Sequence, residues 1–128
     1  MLQARHTGHD GSLTTLHAGT ADEAILRLVL MARYGMDLPA HLIEEQVATA
    51  LDLVVMSARF PDGGRYITSL HQVDRAPDGT VALAECISFD RQARSWTLVQ
   101  LPSFVERAMA DGLLSESEVL AWMSSCSA

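Results

Sequence analysis

The chain has no lysine: all nine of its basic residues are arginine. That excludes a loop of the form G-x-x-x-x-G-K-[ST], in which a lysine neutralises the phosphates cradled by glycine N–H groups. Cysteine is nearly absent, and Cys86 and Cys126 lie far apart with no C-x-x-C pair. This argues against a disulfide framework and for a reducing compartment. Aromatics make up only 5% of the 128 residues, so the core must come from Leu, Val, Ile, Ala and Met. No long apolar run occurs: Leu28–Ala32 and Leu53–Met56 are far too short to cross a bilayer. The first residues, Met1–His6, lack the apolar stretch of a signal peptide. The expectation is a cytoplasmic protein, peripheral at a membrane at most and not inserted in it.

What is present suits one domain with a true core: 48% hydrophobic and 20% charged residues. The formal charge of -7 repels phosphate backbones, so a nucleic-acid partner is not expected unless the arginines cluster.

The chemistry concentrates in Thr7-Gly8-His9-Asp10-Gly11-Ser12 and Thr15-Leu16-His17-Ala18. Ser12–Ala18, rich in threonine, reads as a short strand. Thr20-Ala21-Asp22-Glu23 matches a capping box that opens a helix through Ile25, Leu28, Val29 and Ala32, with Gly35 as its stop. Its other side carries Leu26, Leu30 and Met31, which calls for a second covering surface. His17 would then end a strand facing a helix N-terminus, an edge where anions bind in α/β sheets.

Pro39 suits the first turn of a second helix with Leu42, Ile43, Val47, Ala50 and Leu51 as its apolar stripe. Leu53-Val54-Val55-Met56 reads as a strand buried on both faces. Pro61-Asp62-Gly63-Gly64 and Ala76-Pro77-Asp78-Gly79 then separate Leu53–Phe60, Arg65–Val73 and Val81–Phe89 as hairpin turns. In the last run Val81, Leu83, Glu85, Ile87 and Phe89 alternate with small residues, which places Cys86 on a buried, inert face. Arg94–Leu101 adds a further strand. Ser103–Glu106 and Ser115–Glu118 fit capping boxes around a stop at Gly112. They predict a C-terminal helical hairpin over 102–128, with Phe104, Val105, Met109, Leu113, Leu114, Val119 and Trp122 buried and the end frayed beyond Met123.

The order of these pieces resembles the C-terminal half of the ATPase domain in the type II/type IV secretion ATPase superfamily, and most of all the tight-adherence (CpaF-type) pilus assembly ATPases. The carrying residues are Leu2-Gln3-Ala4, the histidine-bearing stretch from Thr7 to Ala18, Asp37-Leu38-Pro39, Ile43, Glu45–Ala48, Ala50–Val55, Arg59, Asp62-Gly63, Arg65, Ile67-Thr68-Ser69 and Val73. The resemblance implies an α/β fold, the C-terminal part of a RecA-like P-loop domain over 1–101: a histidine-box strand, two helices and an antiparallel β-meander, followed by the C-terminal helical hairpin. It implies a histidine box lining a nucleotide pocket, with Thr7, Gly8, His9, Thr14, Thr15 and His17 as the pocket residues. His6 stands where relatives carry asparagine. ATP and Mg are the implied cofactors. The implied partners are full-length subunits of a hexamer and an inner-membrane platform protein.

Walker A is absent and no expected strand ends in a magnesium-directed acid; the resemblance implies that Met1 falls just past the place where relatives carry Walker B. Negligible hydrolysis by this chain alone is expected, with no catalytic residue of its own. An interaction module that binds full-length subunits, or a decayed remnant, is the alternative. Arg59 and Arg65 flank a hairpin and are candidates for contact with a neighbouring subunit. His6, His9 and His17 lack the cysteine or carboxylate company of a zinc site, so no metal is expected. Ser12 lacks the second glycine of a nucleophile elbow.

Overall fold

The computed structural model describes residues 11–35 and 37–126. It is mixed α/β: α1 (Ala21–Gly35), α2 (Ala40–Ala50), β1 (Leu53–Arg59), β2 (Arg65–Arg75), β3 (Val81–Asp90), β4 (Ser95–Leu98), α3 (Ser103–Ala110) and α4 (Glu116–Cys126). The strands form one meander in the order β1-β2-β3-β4. Two compact units divide the chain, one drawn from residues up to Val54 with Val73–Ala84, the other from Val55–Gln72 with Glu85 onward.

The expected strand at Ser12–Ala18 does not form: residues 11–18 carry no regular structure and Leu13 is fully exposed. β-branched composition makes a strand only where a ladder partner satisfies its backbone groups, and the described sheet offers none beside this segment. The helix start that follows does form. Thr20 Oγ1 accepts from Glu23 N–H at 3.1 Å, and the Glu23 carboxylate reaches back to Gly19 N–H at 2.7 Å, one residue beyond the usual capping-box donor.

In the first unit α1 and α2 pack through Ile25, Val29, Ile43, Val47 and Ala50, with Leu28, Ala32, Leu51, Val54, Val81 and Leu83 around them. This is the apolar stripe that the sequence places on each helix. The other side of α1 remains exposed at Leu26, Leu30, Met31 and Tyr34. Pro39 is the cap of α2 rather than its first helical residue.

β1 departs from the expectation of a strand buried on both faces. It alternates partly buried with exposed residues, and Val55 is half exposed. As the outer strand of an antiparallel meander it has one covered face only. Both P-D-G turns close as expected. Phe60 N–H bonds Gly64 O and Gly63 N–H bonds Phe60 O; Ala76 N–H bonds Thr80 O and Gly79 N–H bonds Ala76 O. Gly63 and Gly79, at φ +85° and +87°, sit in the left-handed region that glycine enters without strain. β3 pairs antiparallel with β4, which is shorter than Arg94–Leu101 and sets Phe89 opposite Trp96.

In the second unit Phe89 packs against Phe60, Tyr66 and Trp96, with centroids 5.7, 5.5 and 5.0 Å away. Cys86 is buried. The C-terminal helices form with different ends from those expected. Ser103 is not the cap of α3; its N–H is taken by the side chain of buried Gln72, thirty-one residues upstream. Gly112, at φ +73°, closes α3 in a Schellman turn, with Gly112 N–H on Met109 O and Leu113 N–H on Ala108 O. Leu113 is exposed rather than buried, and α4 packs on β4. Ser115 and Glu118 form the expected reciprocal box, and α4 continues through Cys126 instead of fraying after Met123.

Four carboxyls in these turns and caps lie below the usual carboxylate range. Asp62 is held there by Gly64 N–H and then Arg94, Asp78 by the Thr80 hydroxyl and N–H, Asp90 by Ala93 and Gln92 N–H, and Glu118 by the Ser115 hydroxyl and N–H. A carboxyl depressed in the folded state stabilises the fold above its unfolded pKa, and that contribution disappears as pH falls through the folded value. Urea unfolding at falling pH should therefore show a midpoint that drops below about pH 4. The double variant D62N/D78N should flatten that drop; an unchanged slope would mean these bonds do not couple to folding.

Candidate functional site

Of the expected pocket residues, Thr7, Gly8 and His9 lie outside the described residues. Thr14, Thr15 and His17 are exposed in the segment leading into α1. The His17 backbone carbonyl accepts from Arg27 Nη1 at 2.9 Å, which ties the segment to the first turns of the helix.

The N-terminus of α1 would attract an anion through its free N–H groups and dipole. Here the chain supplies its own. Asp22 and Glu23 occupy the first turn, and the Glu23 carboxylate sits on Gly19 N–H while Thr20 Oγ1 takes Glu23 N–H. The approach is close enough that a Cβ at Gly19 would lie 2.9 Å from Glu23 Oε2. At this helix end the N–H donors of Gly19 and Glu23 are thus already taken by the chain's own side chains. Among the described residues no three His, Cys, Asp or Glu side chains converge as a metal site.

A cleft of about 150 Å³ opens in the same unit between α2 and the β2–β3 turn, lined by His41, Glu44, Glu45, Arg75, Asp78 and Thr80. Each of its carboxylates is already engaged. Glu45 pairs with Arg75, Glu44 accepts from Val81 N–H at 3.4 Å, and Asp78 accepts from the Thr80 hydroxyl at 2.6 Å. Glu44 and Glu45 fasten α2 to the flanks of the β2–β3 turn, and Asp78 braces the turn itself.

The second unit carries the arginine edge. Arg59 ends β1 and Arg65 begins β2, both exposed. The bonds that close the turn at Phe60 and Gly64 make Arg59 and Arg65 the next residues outward, directly opposite each other. In the β3–β4 turn Arg91 lies 5.2 Å over the Phe60 ring and Arg94 lies 5.6 Å over Tyr66 while pairing with Asp62. Trp96 Nε1 donates to Ile67 O at 2.9 Å. The sequence reading missed Glu23 as a stand-in anion, Gln72 as a cap, and the Arg91 and Arg94 stacking. The spacing of Glu23 after Gly19 could have indicated the first; the others depend on long-range pairing.

Residues 1–61 match the type II/IV secretion system protein family. The chain is 34% identical over 79 residues to a probable conjugal transfer protein TrbB of Sinorhizobium fredii (strain NBRC 101917 / NGR234), an alignment covering 62% of this chain and 23% of that protein. It is also 34% identical over 71 residues to a conjugal transfer protein TrbB of Rhizobium radiobacter, covering 56% of this chain and 21% of that protein. The matched part thus spans less than a quarter of the length of either relative. These matches support the type II/IV secretion superfamily. No helix among the described residues is long and apolar enough to cross a membrane.

Proposed function

We infer that this chain is the C-terminal, histidine-box portion of a RecA-like secretion-system ATPase, unable to hydrolyse ATP by itself. The match over residues 1–61 carries the reading, because it spans the whole stretch from Thr7 to Ala18 and continues through both helices into β1. In an intact enzyme Thr7, Gly8, His9, Thr14, Thr15 and His17 would complete a nucleotide pocket, with the phosphate-gripping lysine and magnesium-directed acid contributed from elsewhere. Phosphoryl transfer depends on positioning and charge neutralisation, so a chain with no lysine and an acidic first turn on α1 lacks its main supports. Full-length ATPase subunits and an inner-membrane platform protein are the partners in this reading, with Arg59 and Arg65 facing a neighbouring subunit. The setting favoured by the named relatives is conjugal transfer rather than tight-adherence pilus assembly.

Calorimetric titration of the purified chain with ATP and Mg should give no binding tighter than about millimolar, and no phosphate should be released. Micromolar affinity, or turnover without a companion, would overturn the claim of inactivity.

A second reading, a non-enzymatic interaction module, draws support from the exposed Leu26, Leu30, Met31 and Tyr34 on α1. Co-purification with a full-length homologue in the absence of any effect on ATP turnover would favour it.

A further inference from the structure

Like charges directly opposite on neighbouring strands are destabilising. The first hairpin carries such a pair, and no carboxylate among the described residues pairs with it. Arg59 and Arg65 face each other across the turn, both exposed, and among the described residues neither has a carboxylate partner. Other arginines of the chain are compensated: Arg75 pairs with Glu45 and Arg94 with Asp62. Asp62, the nearest acid in sequence, accepts from Gly64 N–H at 2.9 Å and Tyr66 OH at 3.2 Å besides Arg94, so its oxygens are committed.

Strand alternation sets the faces. Phe60, Tyr66, Phe89 and Trp96 pack together on one face, so Arg59 and Arg65 stand on the other. On that face the same alternation places Ser57 and Val55 behind Arg59, and Ile67 behind Arg65. Val55 is 51% and Ile67 49% exposed. Two uncompensated guanidiniums beside two exposed aliphatic side chains make a surface with a definite chemistry.

We propose that this face of the first hairpin docks an acidic protein segment, whose paired carboxylates lie between Arg59 and Arg65 while an apolar neighbour covers Val55 and Ile67. Guanidinium binds carboxylate as a planar fork, and a carboxylate pair cancels the repulsion that the hairpin otherwise carries. The exposed aliphatic pair favours a polypeptide over inorganic phosphate, which has no apolar part to place there. The proposal deepens the subunit-contact reading above and rests on it only for the source of the acidic segment.

The test uses the full chain and a fluorescent peptide bearing two adjacent glutamates flanked by valines, followed by anisotropy. Binding should weaken about tenfold in R59Q/R65Q and fall on raising salt from about 50 mM to about 500 mM. R33Q, at an exposed arginine on α1, should bind as the parent does. Each single variant, R59Q or R65Q, should also raise the thermal midpoint, because it removes the opposed charges; this readout needs no ligand. Equal peptide affinity in R59Q/R65Q, no binding by the parent, or displacement of the peptide by equimolar phosphate would overturn the proposal. Failure of the wider reading would appear separately, as peptide binding intact but no association with full-length ATPase subunits.

Discussion

Replacing Ile43 with alanine should lower the unfolding free energy by about 2–5 kcal/mol. Ile43 has no solvent exposure and packs where α1 meets α2, among Ile25, Val29, Val47 and Ala50. Truncation removes three carbons and leaves a void that two short helices can close only in part. The loss is large beside the roughly 5–15 kcal/mol that holds a typical domain folded. Urea unfolding followed by circular dichroism measures it. I43V, which removes a single carbon, should cost about 0.5–1.5 kcal/mol. A loss below about 1 kcal/mol for I43A would mean that the helices repack around the gap.

The second large effect belongs to Phe89. It is 8% exposed and touches all three other rings of the aromatic cluster, so F89A should cost about 3–5 kcal/mol. The consequence extends to the opposite face. Phe60 and Tyr66 neighbour Arg59 and Arg65 in the chain, and their packing on Phe89 fixes the backbone that presents the two guanidiniums. F89A should therefore weaken acidic-peptide binding although both arginines remain, while F89L, which keeps most of the volume, should lose less of both. Peptide affinity in F89A equal to that of the parent would separate the arginine pair from the ring cluster behind it.

Local chemistry was readable from the sequence wherever a few consecutive residues settle the outcome. The P-D-G turns, the box joining Ser115 to Glu118, the cap at Thr20 and the paired stripes of α1 and α2 each depend on neighbours within one turn of chain. What failed depended on distant partners. Ser12–Ala18 has strand composition, but among the described residues no strand pairs with it to complete a ladder. The N–H of Ser103 is satisfied by Gln72 from β2, which no local pattern announces. Leu113 is apolar by composition yet exposed, a position that depends on what the rest of the fold brings beside it.

The candidate site divides in the same way. Thr14, Thr15 and His17 could be singled out from their surroundings, yet the carboxylate seated on Gly19 N–H emerges only from the folded helix start. Arg59 and Arg65 could be named as hairpin flanks. Their opposition across the turn follows once Phe60 and Gly64 are seen to close it.

Asp62 has a mechanical side as well. Its carboxylate grips Arg94, thirty-two residues along the chain, and so straps the tip of the first hairpin to the β3–β4 turn. A displacement of that tip is coupled to the neighbouring turn to the modest extent that one solvent-exposed ion pair allows.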